Sequence, residues 1–205
     1  MYYKIREKGE EMEILFQDEN IVVCIKEVGV DSEHQTPKLL KEQCGGDFFT
    51  VHRLDLNVGG VMVYARNKHT AAYFSKIVQD GQMIKEYLAE VEGQIENEGI
   101  LEDYLFKDSR KNKVFVVKRM RKGVKAAKLA YKVLEYKEDK SLVLVRLYTG
   151  RSHQIRVQFS SRGFPLIGDH KYGSCAKDDC PHLYSCRLTF PYHKKEMVFE
   201  KMITW

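Results

Sequence analysis

Leu142-Val143-Leu144-Val145-Arg146-Leu147-Tyr148-Thr149, followed by Gly150-Arg151-Ser152-His153-Gln154-Ile155-Arg156-Val157-Gln158-Phe159, reads as a strand running into a helix. The first half is dense in β-branched and apolar residues with no helical stripe. Ser152 is placed to cap a helix carrying Ile155 and Phe159, and Gly163 to end it. Arg151 falls at the corner between the two elements, beside the predicted helix N-terminus. Working outward, Ile14-Leu15-Phe16 and Ile21-Val22-Val23-Cys24-Ile25 flank Asp18-Glu19-Asn20 as a hairpin. Ala71, Phe74, Ile77 and Val78 lie at helical spacing, with Gly81 as a stop. From Tyr87 to Val91 the pattern alternates, so Tyr87, Ala89 and Val91 share a strand face and Glu86 points the other way. Strands outnumber helices, and the mixture is that of an α+β fold.

The composition is that of a globular chain: 205 residues, 43% hydrophobic and 31% charged. There are four prolines, no Gly/Ser linker and no repeat, so a single domain over 1–205 is expected. Thirty-four Lys+Arg against 29 Asp+Glu give a net charge of +5, a mild bias toward a polyanionic partner. No apolar run approaches the ~20 residues that span a bilayer. Met1-Tyr2-Tyr3-Lys4 leads into a charged stretch through Glu13 without a signal-peptide core, so a cytoplasmic protein with no membrane partner is expected. Five cysteines argue against a disulfide framework. Cys175, Cys180 and Cys186, with His170 and His182, lack the Cys-x2-Cys spacing of a zinc site, so no metal is expected. The absence of GxGxxG and Walker motifs leaves no nucleotide cofactor to hold.

One acidic residue stands in a basic and apolar frame at Val51-His52-Arg53-Leu54-Asp55-Leu56-Asn57. A carboxylate from this segment and the Arg151 guanidinium, delivered by separate elements, can meet as a bidentate pair that keeps the carboxylate ionised and aimed. Such a carboxylate serves as nucleophile or base. A structural salt bridge is the plain alternative. Lys118-Arg119-Met120-Arg121-Lys122-Gly123-Val124-Lys125 carries five positive charges in eight residues, either a solvated loop or a phosphate contact.

His52-Arg53-Leu54-Asp55 with Gly60 and Val61-Met62-Val63-Tyr64-Ala65 resembles the catalytic motif of the RluA family of pseudouridine synthases. Lys85-Glu86-Tyr87-Leu88-Ala89 is similar to its Lys-x-Tyr segment. Gly150 to Val157, then Gly168-Asp169-His170-Lys171-Tyr172-Gly173, resemble its third motif and the following turn, and Arg187-Leu188-Thr189-Phe190-Pro191 its C-terminal strand. The resemblance runs from about Ile14 to Phe199, in family order. It implies a mixed, largely antiparallel sheet with flanking helices and a central cleft. It also implies an RNA uridine-to-pseudouridine isomerase without cofactor, acting as a monomer on rRNA or tRNA. Asp55 would be the catalytic carboxylate and Arg151 its partner. Tyr87 would lie on the uracil face, and Arg53 would fill the space left by the extruded nucleotide.

The family's Thr-Ser-Gly is Val58-Gly59-Gly60 here, its Lys-Pro-x-Gly turn is Lys26-Glu27-Val28-Gly29, and its Leu-His-Ala is Leu183-Tyr184-Ser185. Gly59 is expected to add backbone freedom beside Asp55. That keeps open an alternative: an RNA-binding protein with the same fold and impaired turnover. A glycoside hydrolase would need a second acid near Asp55; Glu86 points the wrong way. No N-terminal RNA-binding domain is expected to precede the catalytic domain.

Overall fold

The computed structural model describes residues 11–205; the N-terminal reading through residue 10 lies outside them. In chain order come β1 (Ile14–Gln17), β2 (Ile21–Lys26), α1 (Gln35–Cys44), β3 (Phe49–Thr50), β4 (Gly59–Ala65) and α2 (Lys68–Gln79). Then follow β5 (Ile84–Glu92), β6 (Glu98–Asp108), β7 (Lys113–Val117), β8 (Val124–Lys137) and β9 (Lys140–Leu147). The chain closes with α3 (Gln154–Ser160), β10 (Leu183–Tyr192) and β11 (Lys195–Glu200). The fold is α+β with mixed strand pairing. The described chain forms two compact units, one containing the residues up to Lys85 with Tyr184–Trp205, the other Glu86–Leu183.

In the first unit the expected hairpin is present, with Gln17 opposite Val22. Its turn is closed by the Asp18 carboxylate, which accepts from the amides of Asn20 and Ile21, both at 2.8 Å. β2 pairs antiparallel with β4, and β4 also pairs with β3 and, in parallel, with β10. Both faces of β4 are buried, so its sequence shows an apolar run rather than alternation. α2 begins at Asn67, whose side chain caps Thr70, and lays Phe74 on Phe190 at 5.1 Å between ring centroids. Ile21, Val23, Val61, Val63 and Leu188 belong to the same core. Truncating Phe74 to Ala would cost about 3–5 kcal/mol.

The second unit is a sheet in the order β5-β9-β8-β6-β7, with β6–β7, β6–β8 and β8–β9 all antiparallel. α3 covers one face: its Val157 packs with Leu105, Val114 and Ala127, and its Phe159 meets Tyr131 edge-on at 5.3 Å. The expectation that Ser152 caps α3 is corrected. The boundary residue is His153, in the left-handed region at φ 49°, with no side-chain cap. The Gln154 side chain instead reaches back over the turn, its Oε1 accepting from the Arg151 amide at 3.0 Å and the Thr149 hydroxyl at 2.8 Å. Gly163, at φ +85°, ends the helix as expected.

Candidate active site

The segment from Val51 to Val58 links β3 to β4, and its backbone is pinned at several points. The buried Ser32 hydroxyl donates to Leu54 O at 3.0 Å, and Gly29 N donates to Leu56 O at 2.9 Å. Val58 N closes a turn on Asp55 O at 3.0 Å. Beneath this segment lies Lys26, fully buried, its ammonium donating to Glu27 O at 2.9 Å, Val30 O at 2.8 Å and Leu56 O at 3.4 Å. Three carbonyls use its three protons. Burial holds its pKa down to about 8, against the opposing pull of the Asp31 and Asp55 carboxylates. The Lys26-to-Gly29 turn therefore works without proline, because a side chain ties it to the Asp55 segment.

Leu54 is buried and Asp55 partly exposed, so the segment anchors an apolar side chain and displays a carboxylate. His52 is buried as well, and its Nε2 accepts from Val63 N at 3.3 Å. Burial, with a smaller push from the Lys85 charge, lowers its pKa to about 3, so the ring is neutral. Nδ1 then carries the proton and has no partner among the described residues. Burial lowers the Lys85 pKa in turn. Arg53 is exposed and lies against Glu33 at 3.0 Å.

The expectation that Gly59 loosens the loop is corrected. Gly59 is the buried first residue of β4, opposite Tyr184, and a β-carbon there would stand 3.2 Å from Lys26 O. Gly60, at φ +128°, lies so close to Ser185 that a β-carbon would collide with its backbone. Both glycines are therefore held by close packing.

The other two predicted residues lie in the second unit. Tyr87 is buried on β5, and Arg151 follows the neighbouring strand β9, so the two come from adjacent strands. Arg151 is at the strand-to-helix corner, its Nε donating to Ala126 O at 2.9 Å. His153 Nδ1 lies 2.8 Å from the Tyr172 hydroxyl, which also accepts from Val114 N at 2.9 Å. Arg156 grips Asp169 bidentately at 2.6 and 2.8 Å, both side chains nearly buried, with the Tyr172 ring 5.1 Å away. The motif thus has a displayed arginine and a structural one, and sequence reasoning missed the role of the second. A signal for it exists, since Arg156 and Asp169 both stand in the matching motifs.

Among the described residues no His, Cys, Asp and Glu side chains are grouped as a metal-holding set. His182 serves another purpose, with Nδ1 at 2.9 Å from Glu90 and Nε2 at 3.2 Å from Asp178. Glu90 is buried, which alone would raise its pKa, but hydrogen bonds from His182, Lys140 and Lys137 hold it at about 2. The basic residues Lys118, Arg119, Arg121 and Lys122 lie in the loop between β7 and β8, all four of them exposed.

The family model described as RNA pseudouridylate synthase matches residues 20–161. An RNA pseudouridine synthase of Mycoplasma genitalium is 28% identical, over 95% of this chain and 65% of that protein. The chain thus spans slightly less than two thirds of that relative. The tRNA pseudouridine synthase C of Vibrio parahaemolyticus is also 28% identical, over 95% of this chain and 92% of its own length. Among solved structures, human RNA pseudouridylate synthase domain containing 4 is 25% identical with a TM-score of 0.78, covering 94% of this chain and 88% of that one.

Proposed function

Because this chain belongs to the RNA pseudouridylate synthase family, in its RluA branch, we propose that it isomerises uridine to pseudouridine in RNA. The observation that carries this reading is the pinned segment from His52 to Val58, which displays Asp55 from a backbone tied to Ser32, Gly29 and Lys26. The reaction breaks the bond from ribose C1′ to uracil N1, turns the base and forms a bond from C1′ to C5; C5 loses a proton and N1 gains one, so the product is an isomer. No electrons enter or leave, so the demand is for an oriented carboxylate and a pocket that retains the base.

Asp55 supplies the carboxylate at the ribose, and Arg151 supplies the planar fork of a guanidinium to the reaction. Tyr87 packs on the uracil, and its hydroxyl assists removal of the C5 proton. The nucleotide must leave its helix to react, and Arg53 fills the gap. The target is a structured element of rRNA or tRNA, and the protein acts as a monomer in the cytoplasm. Gly59, which motivated the reading as a binding protein without turnover, is packed in β4 and gives that alternative no support.

The test is pseudouridine mapping, by carbodiimide-dependent reverse-transcription stops, on total RNA from cells with and without the protein. A stop that vanishes with the protein and returns with the wild type but not with Asp55→Ala is expected. No change at any uridine would overturn the proposal.

A further inference from the structure

The second unit's sheet has one face on α3 and another that carries aromatic rings into solvent. Register fixes which residues share that face, because directly opposed residues in an antiparallel pair project to the same side. Phe106 opposes Phe115, Tyr104 opposes Val117 on β7 and Ala126 on β8, and Ala130 opposes Arg146 on β9. Their sequence neighbours Leu105, Val114 and Ala127 form the core against α3, so the rings lie on the far face. Tyr104, Phe115 and Tyr148 are 40%, 37% and 51% exposed. One exposed ring is ordinary, but a set of them on one side of a unit marks a contact surface.

Cations are already placed among these rings. Lys128 and Arg146 lie 5.7 and 5.6 Å from the Tyr148 centroid. Arg121, from the basic loop between β7 and β8, lies 5.4 Å from that of Phe106. Of the acidic residues on this face, Glu102 is neutralised by Lys128 at 2.6 Å. The face is also continuous with the proposed chemistry. Arg151 donates to the carbonyl of Ala126, the residue opposite Tyr104.

We infer that this face is a stacking platform for unpaired nucleotides of the substrate RNA, with Tyr104, Tyr148 and Phe115 taking bases and Arg121 and Arg146 the phosphates. Aromatic rings interleaved with cations fit single-stranded nucleic acid, since every base offers a π-face and every linkage a charge. A duplex keeps its bases stacked on one another and would meet only the cations. The inference rests on RNA being the substrate, as proposed above.

The test uses a short fluorescein-labelled oligouridylate and a duplex of equal length, with wild type, Tyr104→Ala, Tyr148→Ala and the corresponding Tyr→Phe variants. Thermal melts control for folding. Each alanine variant should weaken oligouridylate binding about tenfold, and each phenylalanine variant should bind as the wild type does. Absence of binding by the wild type, unchanged binding by the alanine variants, or equal affinity for the duplex would overturn the inference. A concentration-dependent dimer dissolved by the same substitutions would assign the face to a second copy and overturn it too. Asp55→Ala separates this question from the catalytic one, because it should bind the oligouridylate normally while forming no pseudouridine. Normal oligouridylate binding with no pseudouridine from the wild type would sink the enzymatic reading alone.

Discussion

Gly59 and Tyr184 face each other across the parallel β4–β10 pair, and a β-carbon at Gly59 would stand 3.4 Å from the Tyr184 ring. Both positions depart from the RluA pattern, which has a serine at the first and a histidine at the second. The two departures thus meet at one contact, where the Tyr184 ring lies beside a residue that has no side chain.

Gly59→Ser should lower stability by about 1–3 kcal/mol through overpacking against Tyr184 and Lys26 O. Combined with Tyr184→His, part of that loss should return. A double-mutant cycle from denaturant unfolding should give a coupling of roughly 1 kcal/mol. Strict additivity would mean the two positions changed independently.

Acid should destabilise the protein through His52. Its folded pKa of about 3 lies below the unfolded value of 6.5, so the unfolded state takes up a proton that the folded state excludes. This contribution to stability is complete above pH 6.5 and is lost as pH falls toward 3, with a slope of up to about 1.4 kcal/mol per pH unit. Denaturant unfolding across that window should show a shallower slope for His52→Gln.

Arg53 lies on Glu33 through an exposed ion pair that is worth at most about 1 kcal/mol, so releasing it toward RNA costs little. Glu33→Gln should leave stability nearly unchanged. Arg53→Ala should slow pseudouridine formation more on a folded RNA than on an unstructured one, in single-turnover assays. Equal slowing on both would remove Arg53 from base extrusion.

Asp169→Asn should cost about 3–5 kcal/mol, because it leaves the nearly buried Arg156 guanidinium without its carboxylate. Lys41→Ala, which breaks the exposed pair with Asp47, should change stability by less than about 0.5 kcal/mol. Thermal melts should separate them, with a fall of roughly 6–20 °C for the first and little for the second.

The basic segment entering β8 should contribute phosphate contacts. Replacing Lys118, Lys122 and Lys125 together by Gln should flatten the salt dependence of RNA binding, by roughly 0.7–0.9 in the log–log slope for each phosphate contact removed. Fluorescence anisotropy across a salt series would measure it, and an unaltered slope would show that the segment is only solvated.

Much of the fold is legible in the sequence because its signals are local. The β1–β2 hairpin, the α2 stripe of Phe74 and Ile77, and the strand under Tyr87 follow from side-chain period, which the backbone geometry of each element sets without help from its neighbours. α1 is not legible: it has Pro37 in its first turn and buries only Thr36 and Leu40, too little for an apolar stripe. The Ser152 cap fails for a related reason, since a side chain three residues beyond Arg151 outcompetes it for the turn's donors.

The family, the order of the motifs and the choice of Asp55, Tyr87 and Arg151 as the residues to test come from the string of amino acids and need no coordinates. What supports those residues emerges only in three dimensions. Lys26 buried under Leu56, Tyr184 packed on Gly59, Arg156 locked to Asp169 and Arg121 laid over Phe106 each join residues that no local period relates. Such pairs form where the chain returns on itself, and their energies depend on the burial that this return creates.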